Sequence, residues 1–296
     1  MNGKSKKRLN LKKIKQPQPR YRGAYEAWIE GNPNVIDIQM RLTFKRAYEI
    51  ISPHLNKGAK TMLLTRGNPK IMKGEKQGYL THILHLAPSG VSGYNVCPHA
   101  SKGCIMACLN LAGRGGLFKK GESTNVIQQA RIRKTKWFME DRFEFMNALV
   151  KDIEAGIRYA EKRDLKPVFR LNGTSDIEWE VMPVIRDSRA FSNVFEAFPD
   201  IQFYDYTKNP DRDVTNISNY HLTFSRSESN QELLGIALGN GMNVAVVFDK
   251  LPETYIGLPV FDGDESDLRF LDPAQHIIGL YAKGKAKKDT TGFVVK

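Results

Sequence analysis

Short apolar runs closed by turn residues recur along the chain: LTHILHLAP at 80–88, PVFRLNG at 167–173, IQFYDYT at 201–207, YHLTFSR at 220–226, NVAVVFD at 243–249 and HIIGLYA at 276–282. Each has the length and the β-branched or aromatic content of a strand. Between them the apolar positions step by three or four. Val126, Ile127, Ala130 and Ile132, then Phe143, Met146, Leu149, Ile153 and Ile157, predict two amphipathic helices over 122–139 and 141–162. Further helical stretches are predicted around 177–196 and 230–238. Strand–helix alternation implies parallel strands joined by right-handed crossovers. The six strands predict an α/β fold, a partial (β/α)6 TIM-like barrel.

Upstream the pattern changes. AYEAWIE and MRLTFKRAYEIISPHL, within 21–57, carry apolar residues at helical spacing, and the glycine-punctuated stretch 58–79 reads as a loop with one short strand at 62–64. The expected organisation is a basic flexible arm at 1–20, a helical N-terminal extension at 21–79 and a barrel-like domain at 80–296. A hydrophobic fraction of 41% over 296 residues suffices for a core. With no run of eighteen apolar residues and no secretory leader at the N-terminus, a soluble, cytoplasmic protein with reduced thiols is expected.

The net charge of +13 is concentrated at one end. Lys4, Lys6, Lys7, Arg8, Lys12, Lys13, Lys15, Arg20 and Arg22 precede the first acidic residue, Glu26, and leave only four excess charges to the rest. Such a block is ordinarily solvated, and it can hold DNA or RNA by counterion release.

All three cysteines fall in one loop, HLAPSGVSGYNVCPHASKGCIMACLNLAGRGG at 85–116, which leaves the first strand of the series. Cys97, Cys104 and Cys108 are separated by six and three residues. An odd number cannot pair off as disulfides, so a metal centre is the preferred expectation. Three thiolates can hold a [4Fe–4S] cluster that keeps one iron open for another ligand. Alternatively, the same cysteines with His99 would make a tetrahedral zinc site. The plainest alternative is three buried small hydrophobes.

In α/β barrels the reactive groups sit past the C-terminal ends of the strands, and polar residues are abundant there. Asn172 and Asp176 are candidates for a ligand amino group, and Asp205 or Ser225 for a ribose hydroxyl. Lys208, Arg226 and Lys283 supply positive charge for a carboxylate or phosphate, Lys208 and Arg226 being the candidates for a catalytic role. For each residue alone an ordinary turn or cap is the competing explanation. Other motifs exclude more than they suggest. GRGG at 113–116 lacks a Walker ending, DGDESD at 262–267 lacks EF-hand spacing, QARIRKTKWF reads as a solvated basic helix face, and no HExxH or GxSxG is present.

NVCPHASKGCIMACLNLAGRG, RLNGTSDIEWE, YDYTKN, NYHLTFSRSE and GLYAKGKAKKDTTGFV together resemble a family of bacteriophage proteins named after mycobacteriophage gene product eighty-eight, over roughly residues 80–296. The resemblance implies a phage origin and the cytoplasm of an infected host, and carries no particular activity. Architecture separately resembles the radical S-adenosylmethionine enzymes, whose cluster loop also follows the first barrel strand. The cysteine spacing departs from their usual Cys-x3-Cys-x2-Cys. The expectation is a phage radical S-adenosylmethionine-like enzyme: Cys97, Cys104 and Cys108 on a [4Fe–4S] cluster, S-adenosylmethionine at its open iron, and a 5′-deoxyadenosyl radical acting on a substrate. The basic arm and the phage setting suggest a nucleotide or nucleic acid as that substrate. The alternative is a non-enzymatic nucleic-acid-binding protein clipped by zinc.

Overall fold

The computed structural model describes residues 62–66, 73–111, 113–118 and 122–296. The chain divides into two units, Met1–Lys57 and Gly58–Lys296. The expected arm at 1–20 and the helices within 21–57 lie outside the described residues. All the described strands and helices belong to the second unit.

The fold is mixed α/β, built on a nine-stranded, largely parallel sheet. The strands are β1 (Leu64–Thr65), β2 (Tyr79–Leu84), β3 (Lys166–Arg170), β6 (Gln202–Thr207), β7 (Tyr220–Ser225), β8 (Asn243–Phe248), β9 (Thr254–Tyr255), β10 (Leu258–Asp262) and β11 (Ile277–Tyr281). Outside this sheet, β4 (Val184–Arg186) and β5 (Arg189–Phe191) form a separate hairpin. The order within the large sheet is β1-β2-β3-β6-β7-β8-β11-β10-β9. The six strands read from the sequence (β2, β3, β6, β7, β8, β11) stand side by side in chain order, every pairing among them parallel. No reversal of winding divides them, so the switch-point crevice of doubly wound sheets has no counterpart here. β1 joins β2 antiparallel and β9 joins β10 antiparallel; among the described residues these two edges are not hydrogen-bonded to each other.

Parallel register with period-two side chains gives the sheet two different faces. Phe169, Leu171, Phe203, Phe224, Val244, Val246, Phe248 and Ile277 belong to the main core. Helices cover this face. α2 (Val126–Glu140) and α3 (Arg142–Glu161) match the predicted pair. α3 buries Phe145, Met146, Leu149, Val150, Ile153, Gly156 and Ala160, a stripe at three- and four-residue steps. Gly156 lets α3 approach closely, since a Cβ there would lie 3.0 Å from the Phe169 ring and 3.1 Å from His82. On the opposite face, Val168 and Tyr204 pack with Leu268 in a small separate cluster, and the residues in step with them are Arg170, Tyr206, Ser225, Val247 and Leu280.

The crossovers are less regular than expected. Among the described residues, only the β2–β3 connection contains long helices. The helix predicted around 177–196 is instead a 3-10 turn (Trp179–Val181), the β4–β5 hairpin and the four-residue α4 (Val194–Ala197). β6 passes to β7 with no helix at all. The predicted helix near 230–238 is a 3-10 turn leading into α5 (Leu234–Gly239).

Candidate functional site

The cysteine loop is held by short polar contacts around one turn of helix, α1 (Lys102–Met106). Ser101 caps it: its hydroxyl accepts from the Cys104 N–H at 3.1 Å and donates to Glu228 Oε2 at 2.8 Å. Glu228, just past β7, also accepts from the Gly103 N–H at 2.7 Å. These bonds hold the Glu228 carboxyl below its usual range despite burial. Carboxylate and helix start are complementary in charge, so the loop that leaves β2 is pinned across to β7. At its other end, Asp176 N–H donates to Val96 O at 2.8 Å and the Thr174 hydroxyl to Leu86 O at 2.6 Å, fastening the loop to the segment after β3.

Cys97, Cys104 and Cys108 all line one cavity of about 250 Å³. Strand-end residues form the facing wall: Arg170 from β3, Tyr206 and Lys208 from β6, Ser225 from β7, Val247 from β8 and Leu280 from β11. The cavity therefore opens at the C-terminal ends of the parallel strands, on the face away from the helices. Ala100, Ala107, Leu109, Ala286 and Phe293 make much of the rest apolar. Burial raises all three thiols, Cys97 to about 12, so each holds its proton at neutral pH. Among the described residues, no three His, Cys, Asp or Glu side chains surround a single point as ligands of one ion. His99 is exposed and does not line the cavity.

The other predicted residues divide by strand parity. Lys208, 9% exposed, donates from Nζ to Ser225 O at 3.0 Å and Ser225 Oγ at 2.8 Å, and burial lowers its pKa. Asp176 accepts from the Lys208 N–H at 2.8 Å and faces the Arg212 guanidinium at 3.4 Å. Lys283 lines the mouth, paired with Asp264. Asn172 lines the cavity too, but its side chain works inside the loop. It accepts from Ser175 Oγ, Ile177 N and Trp179 Nε1 and donates to Ile177 O. Asp205 does not reach the cavity: it lies within β6, one residue out of step with Tyr204 and Tyr206, so it points to the helix-covered side. There it accepts from Leu171 N, Asn172 N and Tyr220 Oη, and burial lifts its pKa to about 7. Arg226, likewise out of step with Ser225, turns away and binds Gly292 O at 2.6 Å and Phe293 O at 3.0 Å.

A family model described as Gene product 88 matches residues 62–296. The chain belongs to the Gene product 88 family. The match starts upstream of residue 80, where the sequence resemblance begins, and takes in β1. No curated protein and no solved structure matches the chain. Among the described residues of this phage-family protein, no helix is long and apolar enough to cross a membrane.

Three residues that organise the cavity are not assigned a role from the sequence. Arg170 is the last residue of β3; its signal is a charge closing the apolar run Pro167–Phe169. Glu228 stands among the polar residues after β7 with nothing to mark it as the anchor of the cysteine loop. Arg212, 5% exposed, grips Glu180 with Nε at 2.7 Å and Nη2 at 2.6 Å, and the same Nη2 reaches Tyr220 Oη at 3.0 Å. That network backs Asp176 from behind, and it spans residues too distant in sequence to be paired by inspection.

Proposed function

We propose that this family member is a radical S-adenosylmethionine-like metalloenzyme whose three cysteines ligate a [4Fe–4S] cluster, with a small molecule taken up in the cavity beside them. One observation carries the proposal: three thiols from a single loop line the same cavity as cations and hydroxyls from the ends of parallel strands. The sequential strand order supports a partial (β/α)6 barrel, in which that end is where chemistry is placed. Donor chemistry supports a cluster over zinc. A zinc ion needs four donors within about 2.0–2.3 Å of one point, whereas a cubane distributes its thiolates over separate irons. His99, the fourth ligand that zinc would need, faces solvent.

Such a cluster, when bound, supplies one-electron reduction to S-adenosylmethionine at its open iron. The chain's own residues have simpler tasks. Glu228 and Ser101 fix the helical turn bearing Cys104. The apolar lining surrounds the partly buried sulfurs. Asp176, held by Arg212 and by the Lys208 N–H, keeps lone pairs for a ligand amino group, and the third N–H of Lys208 is available to an acceptor. A nucleotide or nucleic-acid substrate is the class suggested by the basic arm.

Anaerobic reconstitution with iron and sulfide tests the proposal. Wild type should bind about four irons per chain with broad visible absorption, and Cys97→Ala, Cys104→Ala and Cys108→Ala should each lose most of it. One zinc per chain, or iron content indifferent to all three substitutions, would overturn it.

A further inference from the structure

Among the described residues, Arg170 is the cavity-lining cation whose hydrogen-bonding capacity is largely unused. Its side chain is 12% exposed, with Nη1 at 3.4 Å from Asp267 Oδ2 and the guanidinium carbon 4.7 Å from the centre of the Tyr206 ring. A guanidinium carries five N–H donors in a rigid fork. Nε is buried with no partner, and among the described residues the guanidinium's hydrogen bond is the long one from Nη1 to Asp267. The contrast with Arg212 is informative. Arg212, also buried, uses Nε and Nη2 on the two Glu180 oxygens, and its remaining contacts reach Asp176 and Tyr220. That is a guanidinium completed by protein. Arg269 also keeps unused donors, but at 0% exposure it does not line the cavity.

We infer that Arg170 binds the oxyanion end, carboxylate or phosphate, of the small molecule that enters this cavity. Burial favours a partner that completes the fork, and planar bidentate oxyanions fit it. The other cations of the cavity wall help differently. Lys208 has two N–H groups on Ser225 and one left, while Lys283 is tied to Asp264 at the mouth. Asp176 and Asp267 are the opposing carboxylates. Asp176 is compensated by Arg212, and Asp267 is the group with which an incoming oxyanion competes. The Tyr206 ring lies 4.7 Å from the guanidinium carbon, a cation–π contact that leaves the N–H edges of the fork for a ligand. The inference deepens the proposed function in naming the ligand's chemistry. It rests on the cavity being a ligand site and does not require the cluster.

Calorimetric titration of the full chain tests it with matched probes: S-adenosylhomocysteine against 5′-methylthioadenosine for the carboxylate arm, and adenosine monophosphate against adenosine for the phosphate arm. At least one oxyanion-bearing probe should bind more tightly than its counterpart, and Arg170→Gln should weaken that probe at least tenfold while leaving the counterpart unchanged. Which arm responds identifies the oxyanion. Binding of neither oxyanion probe, or equal binding by wild type and Arg170→Gln, overturns the inference. Should Arg170→Gln fail to fold, Asp267→Asn serves instead. Removing the competing carboxylate should tighten the responding probe several-fold, and unchanged affinity overturns the inference. Iron content after reconstitution is read separately, so loss of the cluster proposal and loss of the Arg170 role are distinguishable.

Discussion

Gly103 has no room for a side chain. A Cβ there would meet Thr291 Oγ1, and would lie 2.7 Å from both Glu228 Oε2 and Phe293 Cβ. Its N–H is one of the two bonds that hold Glu228. Gly103→Ala should therefore push α1 away from the end of β7, with an overpacking cost of about 1–3 kcal/mol. Two measurements check this: a lower melting temperature, and faster alkylation of Cys104 in the metal-free chain as its cover loosens. A variant with unchanged stability and unchanged thiol accessibility would show that the close approach is dispensable. Single residues were the least legible part of the sequence. Distance past a strand end placed Lys208, Ser225, Asp176 and Lys283 on the cavity. The same rule included Asp205 and Arg226, because a one-residue change of register reverses the face and the ends of strands cannot be fixed that finely. Asn172 met the rule and lines the cavity, yet its polar atoms organise the turn that follows β3.

At the scale of elements, hydrophobic period located the six central strands and the two long helices, since those elements bury a face and burial imposes the period. The hairpins left no such trace. β4–β5 turns on Asp187 and Ser188, and β9–β10 on Ile256 and Gly257, all four with positive φ. These are the backbone requirements of two-residue type I′ turns, met without the Asn-Gly or Asp-Gly pair that would announce them. Packing between α3, β2 and β3 also has a pH signature. His82, fully buried on β2, stacks on Phe169 with ring centroids 4.9 Å apart, and burial lowers its pKa to about 4. The folded chain keeps it neutral, while the unfolded chain takes up a proton below about 6.5. Stability from His82 is thus full above that pH and falls as pH drops towards 4, by up to roughly 3 kcal/mol. His85, lowered to about 3 by burial and by Arg131, acts in the same direction. Asp205, raised to about 7, acts in the opposite one, its contribution falling as pH rises from 3.8 to 7. His82→Phe should flatten the decline in melting temperature between pH 7 and 4.5. An acid limb as steep as that of wild type would remove His82 as its cause.

For the whole molecule, charge is the property least tied to the fold. Eight lysines and arginines lie within residues 1–20, while the family match begins only at residue 62. That cationic block lies outside the matched region, which contains the whole sheet and the cavity lining. If it binds nucleic acid, it does so through phosphates, and each contact contributes about −0.9 to the slope of log affinity against log salt on duplex DNA. Deleting residues 2–20 should weaken binding to a random-sequence duplex about tenfold or more at 50 mM salt and make that slope shallower, with melting temperature and iron uptake unchanged. Equal affinity and equal slope for the two chains would separate the basic arm from nucleic acid altogether. The suggestion of a nucleotide or nucleic-acid substrate would then rest on the cavity alone, and on whether phosphate is the oxyanion that Arg170 prefers.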